Sequence, residues 1–426
     1  MRIILRWRQR SPASLRSRID PIPAPLPELL FLTQRIPYPP IKGEKIRALQ
    51  ILRFLRERYR VHLGCLVDDP VDWQYVPAVK ELCDQSYFAP LNPTVAKIAC
   101  LRGLASGAPL SVLYFYNRGL ARWIDDLLAR RHPQAAFVCS SAMAQYLVDQ
   151  PDPPRKMIMD FADVDADKWR QYAERHGGPM RWIYARESRE LLSFDRKVAQ
   201  RFDASTFVSS AEAALFRQLA PESGEKAHFV NNGVDSAYFT PTERYANPYP
   251  DGAPVAVFTG TMNYWPNVDA VTWFATQILP RVRQSVPDAR FAIVGSNPDA
   301  KVQELSRLPG IIVTGPVPDV RPYVAHAALA VVPLRVAGGV QNKVLEAMAM
   351  GKIVAASPRA LTGLDAEAAR HVIVAEDEQA FVRATLDAIA GNVAPNLGVR
   401  ARQCILDLYN WATNLAGFLP YLGLEH

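Results

Sequence analysis

The chain alternates short apolar runs with helix-like segments, and this alternation occurs twice along its 426 residues. The first series opens with ELLFLTQ, continues with the amphipathic segment GEKIRALQILRFLRERY, and returns to the apolar run VHLGCLV. Short apolar runs separated by helical segments are typical of parallel strands joined by helical crossovers. The sequence therefore predicts an α/β fold built on parallel sheets.

A segment without apolar periodicity, TPTERYANPYPDGAP at 240–254, separates the two series. It is rich in Pro, Asn and Asp, which favour turns and linkers. Six further strand candidates follow it: VAVFTG, RFAIVG, IIVTG, LAVVPL, IVAAS and VIVAE. Because one domain typically takes about 100–200 residues, two domains are expected. We predict a disordered basic, proline-rich tail at 1–27, Rossmann-like domains at 28–245 and 246–395, and a C-terminal helix at 396–426. This helix could cover the second domain or cross back to pack on the first.

The basic charge is concentrated at the start of the chain. Of the net charge of +7, residues 1–27 contribute +5 through six arginines and Asp20, which leaves +2 for the remainder. A nearly neutral body argues against nucleic acid as a partner. For the tail, disorder is one interpretation, and a weak membrane-surface role of its arginines with Trp7 is the other.

The five cysteines are scattered and form no CxxC pair. This distribution favours free thiols in a reducing compartment, with neither a disulfide framework nor a metal site. No run approaches the ~18 apolar residues of a membrane span. We therefore expect a cytoplasmic protein without a cofactor or metal, and peripheral contact at the inner membrane face stays open.

The segment VVPLRVAGGVQNKVLEAMAMGKIVAAS at 331–357 carries the strongest site signal. A strand ends at Pro333, and a loop with Gly338 and Gly339 leads into a helix that starts near Gln341. The free amide groups at a helix N-terminus attract anions such as phosphate. Glycines in the preceding loop let the backbone approach such a group closely.

Charged side chains accompany this loop. Arg335 and Lys343 could neutralise a pyrophosphate. Glu346 lies three residues after Lys343, on nearly the same helix face, and could accept hydrogen bonds from ribose hydroxyls. An ordinary surface pair of Lys343 and Glu346 is the alternative.

The same segment resembles the donor site of the retaining glycosyltransferase family 4, whose members have the GT-B fold. Four more stretches resemble the family in the same order: FDASTFVSSAEAALF (202–216), FVNNGVDSAYFTP (229–241), AVFTGTMNYWPNVDAVTWF (256–274) and TGPVPDVRPYVAHAALAVVPL (314–334). FLTQRIPYPPIKGEKIRAL and MDFADVDADKW are most similar to sugar transferases associated with exosortase/PEP-CTERM exopolysaccharide clusters.

The resemblance implies two Rossmann-like α/β/α domains that face each other across a cleft. It implies transfer, with retention of configuration, of a sugar from a nucleotide-diphosphate-sugar donor to a growing glycan or lipid-linked acceptor, without a metal ion. The donor-binding residues implied are Gly260, Thr261, Arg335, Gly338, Gly339, Gln341, Asn342, Lys343 and Glu346.

The chain departs from the family at two donor positions. Gly338 stands where the family often has the first of two glutamates spaced eight residues apart, and Thr261 stands where an Arg often follows the strand-ending glycine. We infer that Arg335 and Lys343 take over neutralisation of the pyrophosphate.

The acceptor side is less complete. Lys42, Gly43 and Arg47 of PPIKGEKIR could meet donor phosphate or an anionic acceptor, and a solvated helix start is the alternative. MDFADVDADKW has no His where many family members have one, so Asp163 is the first catalytic candidate and Asp160 the second. A helix N-cap is the other interpretation of Asp163. The donor's own phosphate could also take the acceptor proton.

Two rival classes remain. One is a catalytically degenerate GT-B protein that binds nucleotides or acts as a scaffold. The other is a nucleotide-sugar epimerase, which would need carboxylates and a His at the sugar. A dehydrogenase is disfavoured because no G-x-G-x-x-G follows a strand with an acid about 20 residues later.

Overall fold

The computed structural model describes residues 26–40, 43–100, 103–249, 252–337 and 340–424. Its contacts group them into two compact units. The N-terminal unit comprises Leu26–Gly233 and the residues from Trp411 onward, and the C-terminal unit comprises Val234–Asn410. These divisions differ from the domain limits expected at 245/246 and 395/396. The tail expected at 1–27 lies outside the described residues, apart from its last two.

The N-terminal unit contains a sheet of seven parallel strands in the order β3-β2-β1-β4-β5-β6-β7. The strands are β1 (Glu28–Thr33), β2 (Arg60–Val67), β3 (Gln85–Pro90), β4 (Ala135–Cys139), β5 (Lys156–Ala162), β6 (Ala204–Phe207) and β7 (Ala227–Phe229). The strand order reverses between β1 and β4. In open parallel sheets, ligands bind beyond the carboxyl ends of the strands near such a switch point.

Helices flank this sheet because both of its faces are apolar. Side chains of β1 alternate between two clusters, with Leu29 and Phe31 in one and Leu30 and Leu32 in the other. The helices are α1 (Gly43–Arg56), α2 (Val76–Lys80), α3 (Pro93–Cys100), α4 (Gly103–Ser106), α5 (Leu110–Tyr114), α6 (Arg118–Arg131), α7 (Asp165–Arg175), α8 (Gly178–Arg201) and α9 (Ser210–Leu219), with 3₁₀ turns at Pro70–Tyr75, Ser141–Tyr146 and Pro221–Lys226.

The C-terminal unit repeats the plan with six parallel strands in the order β10-β9-β8-β11-β12-β13. The strands are β8 (Val255–Thr259), β9 (Arg290–Val294), β10 (Ile311–Gly315), β11 (Leu329–Val332), β12 (Val354–Ala356) and β13 (Ile373–Val374). The helices are α10 (Trp265–Trp273), α11 (Leu279–Ser285), α12 (Ala300–Leu305), α13 (Arg321–His326), α14 (Asn342–Ala349), α15 (Pro358–Leu361), α16 (Ala366–Ala369), α17 (Glu378–Ala390) and α18 (Leu397–Leu408), with a π-helical turn at Phe274–Ile278. The predicted α/β class with parallel sheets is confirmed.

The segment expected to form one helix at 396–426 is divided between the units. After α18, the chain forms α19 (Trp411–Ala416) and α20 (Leu419–Leu422), which pack in the N-terminal unit. The return of the chain to the N-terminal unit at Trp411 depends on close packing against Gly233. A Cβ on Gly233 would lie 2.6 Å from the backbone nitrogen and from Cγ of Trp411. Only glycine fits there, and the indole lies against its backbone.

Arg47 of α1 and Asp160 of β5 form a buried two-point ion pair. Nε donates to Oδ2 and Nη2 donates to Oδ1, each at 2.8 Å. Arg47 is 3% exposed and Asp160 is 1% exposed. Nη1 of Arg47 also donates to the Val230 carbonyl and to Asn232 Oδ1, and Thr206 Oγ1 donates to Asp160 Oδ1. Burial alone would lower the pKa of Arg47, but the Asp160 carboxylate raises it.

This geometry corrects two expectations from the sequence. Arg47 was expected to contact phosphate or the acceptor substrate. Its guanidinium instead donates hydrogen bonds to Asp160, Val230 and Asn232 inside the N-terminal unit. Asp160, the second catalytic candidate, holds that guanidinium and is shielded from solvent. Buried charges of this kind are tolerated when they are paired and hydrogen-bonded. Both residues therefore have a structural role.

We predict that Asp160→Ala lowers the free energy of unfolding by about 3–5 kcal/mol, because it leaves a buried guanidinium without its counter-ion. Chemical denaturation monitored by circular dichroism measures the change. Asp126→Ala is the matched control. Its pair with Arg130 is largely exposed, with side chains 68% and 77% accessible, so a change within about 0.5 kcal/mol is expected. Equal losses in both variants would contradict the structural role of the buried pair.

Candidate donor site and acceptor-side edge

Gly260 follows β8, beside the switch point of the C-terminal sheet, where β8 lies between β9 and β11. Its amide donates to the Val294 carbonyl of β9 at 3.0 Å. A Cβ on Gly295 would lie 1.7 Å from the Gly260 carbonyl oxygen. The backbones that leave β8 and β9 therefore touch, and a side chain at Gly295 would force them apart. A Cβ on Gly260 would in turn lie 2.9 Å from Asn267 Nδ2 and 3.5 Å from Lys343 Cε, so these two side chains lie directly at the end of β8.

Lys343 lies in the first turn of α14, next to the end of β8. Its Nζ donates to Asn267 Oδ1 at 2.9 Å and lies 4.9 Å from the centre of the Phe258 ring. Asn267 in turn donates through Nδ2 to the Thr261 carbonyl at 3.0 Å. Asn267 thus links the loop after β8 to the lysine. Burial lowers the pKa of Lys343 to about 8.

Glu346 lies one turn further along α14. Burial raises its pKa to about 7, although the nearby Lys343 acts in the opposite direction. The two side chains line a small cavity together with Thr259 of β8 and Val332 of β11. Lys343 binds Asn267, and no ion-pair contact with Glu346 is found among the described residues. A solvated surface pair, the alternative left open by the sequence, does not describe this arrangement.

Arg335 follows β11 but is turned towards α10. Its Nε donates to Asp269 Oδ2 at 2.9 Å, and Nη2 makes a second contact with the same carboxylate. The hydrogen bond with Asp269 raises the pKa of Arg335, and the guanidinium lies 5.5 Å from the centre of the Trp273 ring. Neutralisation of a pyrophosphate by Arg335 would require this contact to be exchanged or shared.

The other donor candidates that the structure describes lie at the start of α14 or after the end of β8. Gln341 and Asn342 are half-buried at the helix start, and Thr261 is half-buried after Gly260. Gly338 and Gly339 lie outside the described residues, so their predicted role stays a prediction.

In the N-terminal unit, Asp163 lies just beyond the carboxyl end of β5. Lys168 Nζ donates to Asp163 Oδ2 at 2.7 Å and to Asp165 Oδ1 at 2.9 Å. Although burial lowers the pKa of Lys168, the two carboxylates raise it further. The other oxygen, Asp163 Oδ1, is buried and accepts no hydrogen bond from the described residues. The N-cap of α7 is Val164, so capping does not explain Asp163.

The backbone is constrained on both sides of this point. Ala162, at the end of β5, has φ 65°, and Ser140, after the neighbouring β4, has φ 77°. Positive φ is uncommon for residues other than glycine, and such residues concentrate at functional sites. Gly43 is the exposed first residue of α1, while Lys42 lies outside the described residues.

Sequence reasoning missed Asp195 of α8, which is 2% exposed. Burial raises its pKa well above the usual range, although a hydrogen bond with Ser141 lowers it. Its signal was an acid within the apolar stripe of Leu191 and Val198, at spacings of four and three residues. Burial explains its raised pKa, and nothing places it at the edge with Asp163.

The chain resembles known proteins in the sequence of its C-terminal unit and in its fold. Residues 253–390 match the family model described as "Glycosyl transferases group 1". This match covers the C-terminal unit from β8 to α17 and includes Gly260, Lys343 and Glu346. A search of curated proteins by sequence gave no significant match.

Solved structures with a similar fold span nearly the whole chain. Sucrose-phosphate synthase from Thermosynechococcus elongatus is 15% identical with a TM-score of 0.64, covering 92% of this chain and 97% of that one. Anabaena HepE in complex with UDP-glucose is 13% identical with a TM-score of 0.64, covering 93% and 99%. A UDP-forming trehalose-phosphate synthase from Burkholderia vietnamiensis is 12% identical with a TM-score of 0.61, covering 93% and 99%.

The chain therefore has the GT-B fold, with two Rossmann-like α/β units. The family match and the structural neighbours together support a glycosyltransferase of the GT-B type. Within the described residues, no helix is long and apolar enough to cross a membrane. The same residues contain no group of three or more His, Cys, Asp or Glu side chains that could hold a metal ion.

The lowered pKa of Lys343 predicts a pH dependence of nucleotide binding. The ammonium charge is present below about pH 8 and is lost above it. Affinity for a nucleoside diphosphate should then fall by up to about tenfold per pH unit above that point, because the ligand binds the charged form. Lys343→Arg should remove this fall, since a guanidinium does not titrate there. Calorimetric titration over pH 6–10 provides the measurement, and parallel profiles of the two proteins would rule out Lys343 as the titrating group.

Proposed function

We propose that the protein is a retaining glycosyltransferase of family 4 that moves a sugar from a nucleotide-diphosphate-sugar to a growing glycan or lipid-linked acceptor. The main support is the cluster of Lys343, Asn267 and Glu346 at the carboxyl end of β8. It lies at the switch point of the sheet, where open parallel sheets bind ligands. Exopolysaccharide biosynthesis is the process that the sequence resemblance favours.

The donor diphosphate would lie between the start of α14 and Gly260. The amides of the first helical turn and the Lys343 ammonium would face its negative charge. A diphosphate beside Lys343 would offset the burial that now lowers its pKa, so the lysine would bind in the charged form. Glu346, one turn away, would accept hydrogen bonds from the ribose hydroxyls.

The chemical step breaks the bond between the sugar C1 and the diphosphate oxygen, and the acceptor oxygen forms a new bond to C1 on the same face. The acceptor proton passes to the leaving diphosphate or to a protein carboxylate. The N-terminal unit offers Asp163, whose side chain is 25% exposed and whose Oδ1 accepts no hydrogen bond from the described residues. Positioning and charge stabilisation would supply most of the rate.

Uridine nucleotides are the first donors to test. HepE has been crystallised with UDP-glucose, and the Burkholderia trehalose-phosphate synthase is UDP-forming. These neighbours share the fold at low identity, so guanosine and adenosine nucleotides are compared with uridine nucleotides in the same screen.

A nucleotide screen tests the donor site. We expect one of UDP, GDP or ADP to stabilise the protein by about 2.7 kcal/mol when present at 100 times its dissociation constant. The effect should be independent of magnesium and should be lost in Lys343→Ala and Glu346→Ala. Thermal shift measures it, and Lys301→Ala, at an exposed lysine of α12, is the matched control. Absence of any nucleotide effect on the folded wild-type protein would remove the donor-site assignment.

The role of Asp163 needs a kinetic test. If Asp163 takes the acceptor proton, Asp163→Asn should lower kcat by about 10²-fold or more and leave nucleotide affinity unchanged. Sugar transfer to the acceptor, or slow hydrolysis of the donor, provides the rate, and Asp126→Asn on an exposed helix surface is the control. An unchanged kcat would assign proton transfer to the leaving diphosphate. The anomeric configuration of the first product, followed by NMR, tests retention.

A catalytically degenerate GT-B protein is the second candidate. The observation that favours it is the engagement of Arg335 with Asp269, together with Gly338 at the position of an expected glutamate. Such a protein would bind the nucleotide but would neither transfer nor hydrolyse the sugar. Binding in the nucleotide screen without turnover of any matching donor would select this candidate.

A further inference from the structure

We propose that the N-terminal unit docks on an anionic lipid bilayer through an apolar patch next to its acceptor-side edge. The patch consists of Val95, Ile98, Leu104, Met180 and Trp182, whose exposed fractions range from 37% to 63%. Large apolar side chains grouped on a surface mark a membrane or protein interaction site. The proposal rests on the proposed function, because it adds the surface from which a lipid-linked acceptor would be reached.

Hydrogen bonds connect helix α8, which carries Met180 and Trp182, to the segment that carries Leu104. Arg186 of α8 donates through Nη2 to the carbonyls of Gly103 and Ala108. Trp182 precedes Arg186 by one helical turn and lies on the same side of α8. Leu104 follows Gly103 directly. The first turns of α8 and the start of α4 are therefore neighbours.

Glu187 of α8 strengthens this connection. Its carboxylate accepts hydrogen bonds from the amides of Leu110 and Ser111 at 2.7 and 2.8 Å and from Ser111 Oγ at 2.6 Å. Arg186 and Glu187 are both buried, at 5% and 2% exposure. The start of α8 is thus fixed on the segment that carries α4 and α5.

Helix α3 contributes Val95 and Ile98, which lie three residues apart and share one face. Cys100 Sγ donates to the Leu110 carbonyl of α5 at 3.2 Å, and Ala96 is buried. The inner face of α3 is therefore covered, whereas Val95 and Ile98, each 63% exposed, face solvent. Their exposure has no explanation within the fold.

The patch lies on the side of the sheet expected to receive the acceptor. Helix α3 begins three residues after β3 ends at Pro90, and α7, which leads into α8, begins three residues after β5 ends at Ala162. Both connections leave the carboxyl edge of the parallel sheet, as does Asp163. A membrane held against the patch would lie next to this edge.

The cations next to the patch residues complement an anionic membrane. Residues 93–114, which include α3 and α5, contain no acidic residue. Lys97 is exposed between Val95 and Ile98, and Arg181 is exposed beside Trp182. Cations interleaved with apolar side chains and Trp are typical of surfaces that lie in the interface of anionic bilayers.

Vesicle co-sedimentation of the full chain tests the proposal. Vesicles of phosphatidylglycerol and phosphatidylethanolamine are compared with phosphatidylcholine vesicles. We expect binding to the anionic vesicles to weaken at least about tenfold in Ile98→Ser/Trp182→Ser and in Lys97→Glu/Arg181→Glu, since one cation near an anionic surface contributes roughly fivefold. Val399→Ser/Arg400→Glu, on exposed residues of α18, is the matched control and should bind like the wild type.

Both patch variants keep the six arginines of residues 1–27. A loss of vesicle binding in these variants therefore assigns the binding to the patch. Wild-type binding in both patch variants would overturn the proposal and assign any membrane affinity to the tail. Absence of wild-type binding to anionic vesicles would overturn it as well. So would a dimer in analytical ultracentrifugation that only the apolar variant dissociates, because the patch would then bind a second copy.

Nucleotide binding is measured on the same proteins without vesicles. Vesicle binding that persists when no nucleotide binds would leave the docking surface standing while the proposed function fails. Nucleotide binding that persists in patch variants that no longer bind vesicles would support both proposals.

Discussion

The buried pair of Arg47 and Asp160 is the interaction on which the N-terminal unit depends most. One guanidinium connects α1 to β5 and to the carbonyl of Val230, while Thr206 of β6 completes the carboxylate. Four parts of the chain, separated by up to 185 residues, thereby meet at one point. Desolvated charges hold such a point only when their hydrogen bonds are satisfied together. This pair consequently holds the end of β5 in place, and Asp163 follows directly after that strand.

Much of the fold could be predicted because strands of a parallel sheet, buried on both faces, form continuous apolar runs. All six strands of the C-terminal unit coincide with such runs. The strand β3, QSYFAP, does not form such a run, since four of its six residues are only half-buried. The helix-like segment SVLYFYNRGLARWIDDLLAR forms two helices, α5 and α6. Asn117 interrupts it by accepting a hydrogen bond from the Leu120 amide and donating to the Pro90 carbonyl.

The candidate site was predictable only where its residues are close in sequence. Lys343 and Glu346 stand out because a glycine-containing loop, a helix start and two charges occur within ten residues. The partners of other residues depend on tertiary structure. Arg335 contacts Asp269 from 66 residues away, and Arg47 contacts Asp160 from 113 residues away. Hydrophobic periodicity does not predict pairs of residues so far apart in the sequence. Arg47 and Arg335 both looked like phosphate-binding residues in the sequence, but Arg47 forms a buried structural ion pair and Arg335 pairs with Asp269 near the candidate donor site.

Lys343 and Glu346 are half-buried, and their partial desolvation has a cost that packing alone does not explain. The pKa of Lys343 falls to about 8 and that of Glu346 rises to about 7, so the charged form of each is disfavoured in the folded protein. In the unfolded chain both groups would be charged at neutral pH, and folding therefore loses stability at this point. Apolar residues would fill the same space without this loss. A diphosphate beside Lys343 and hydroxyl donors beside Glu346 would favour the charged form of each side chain and would offset this loss.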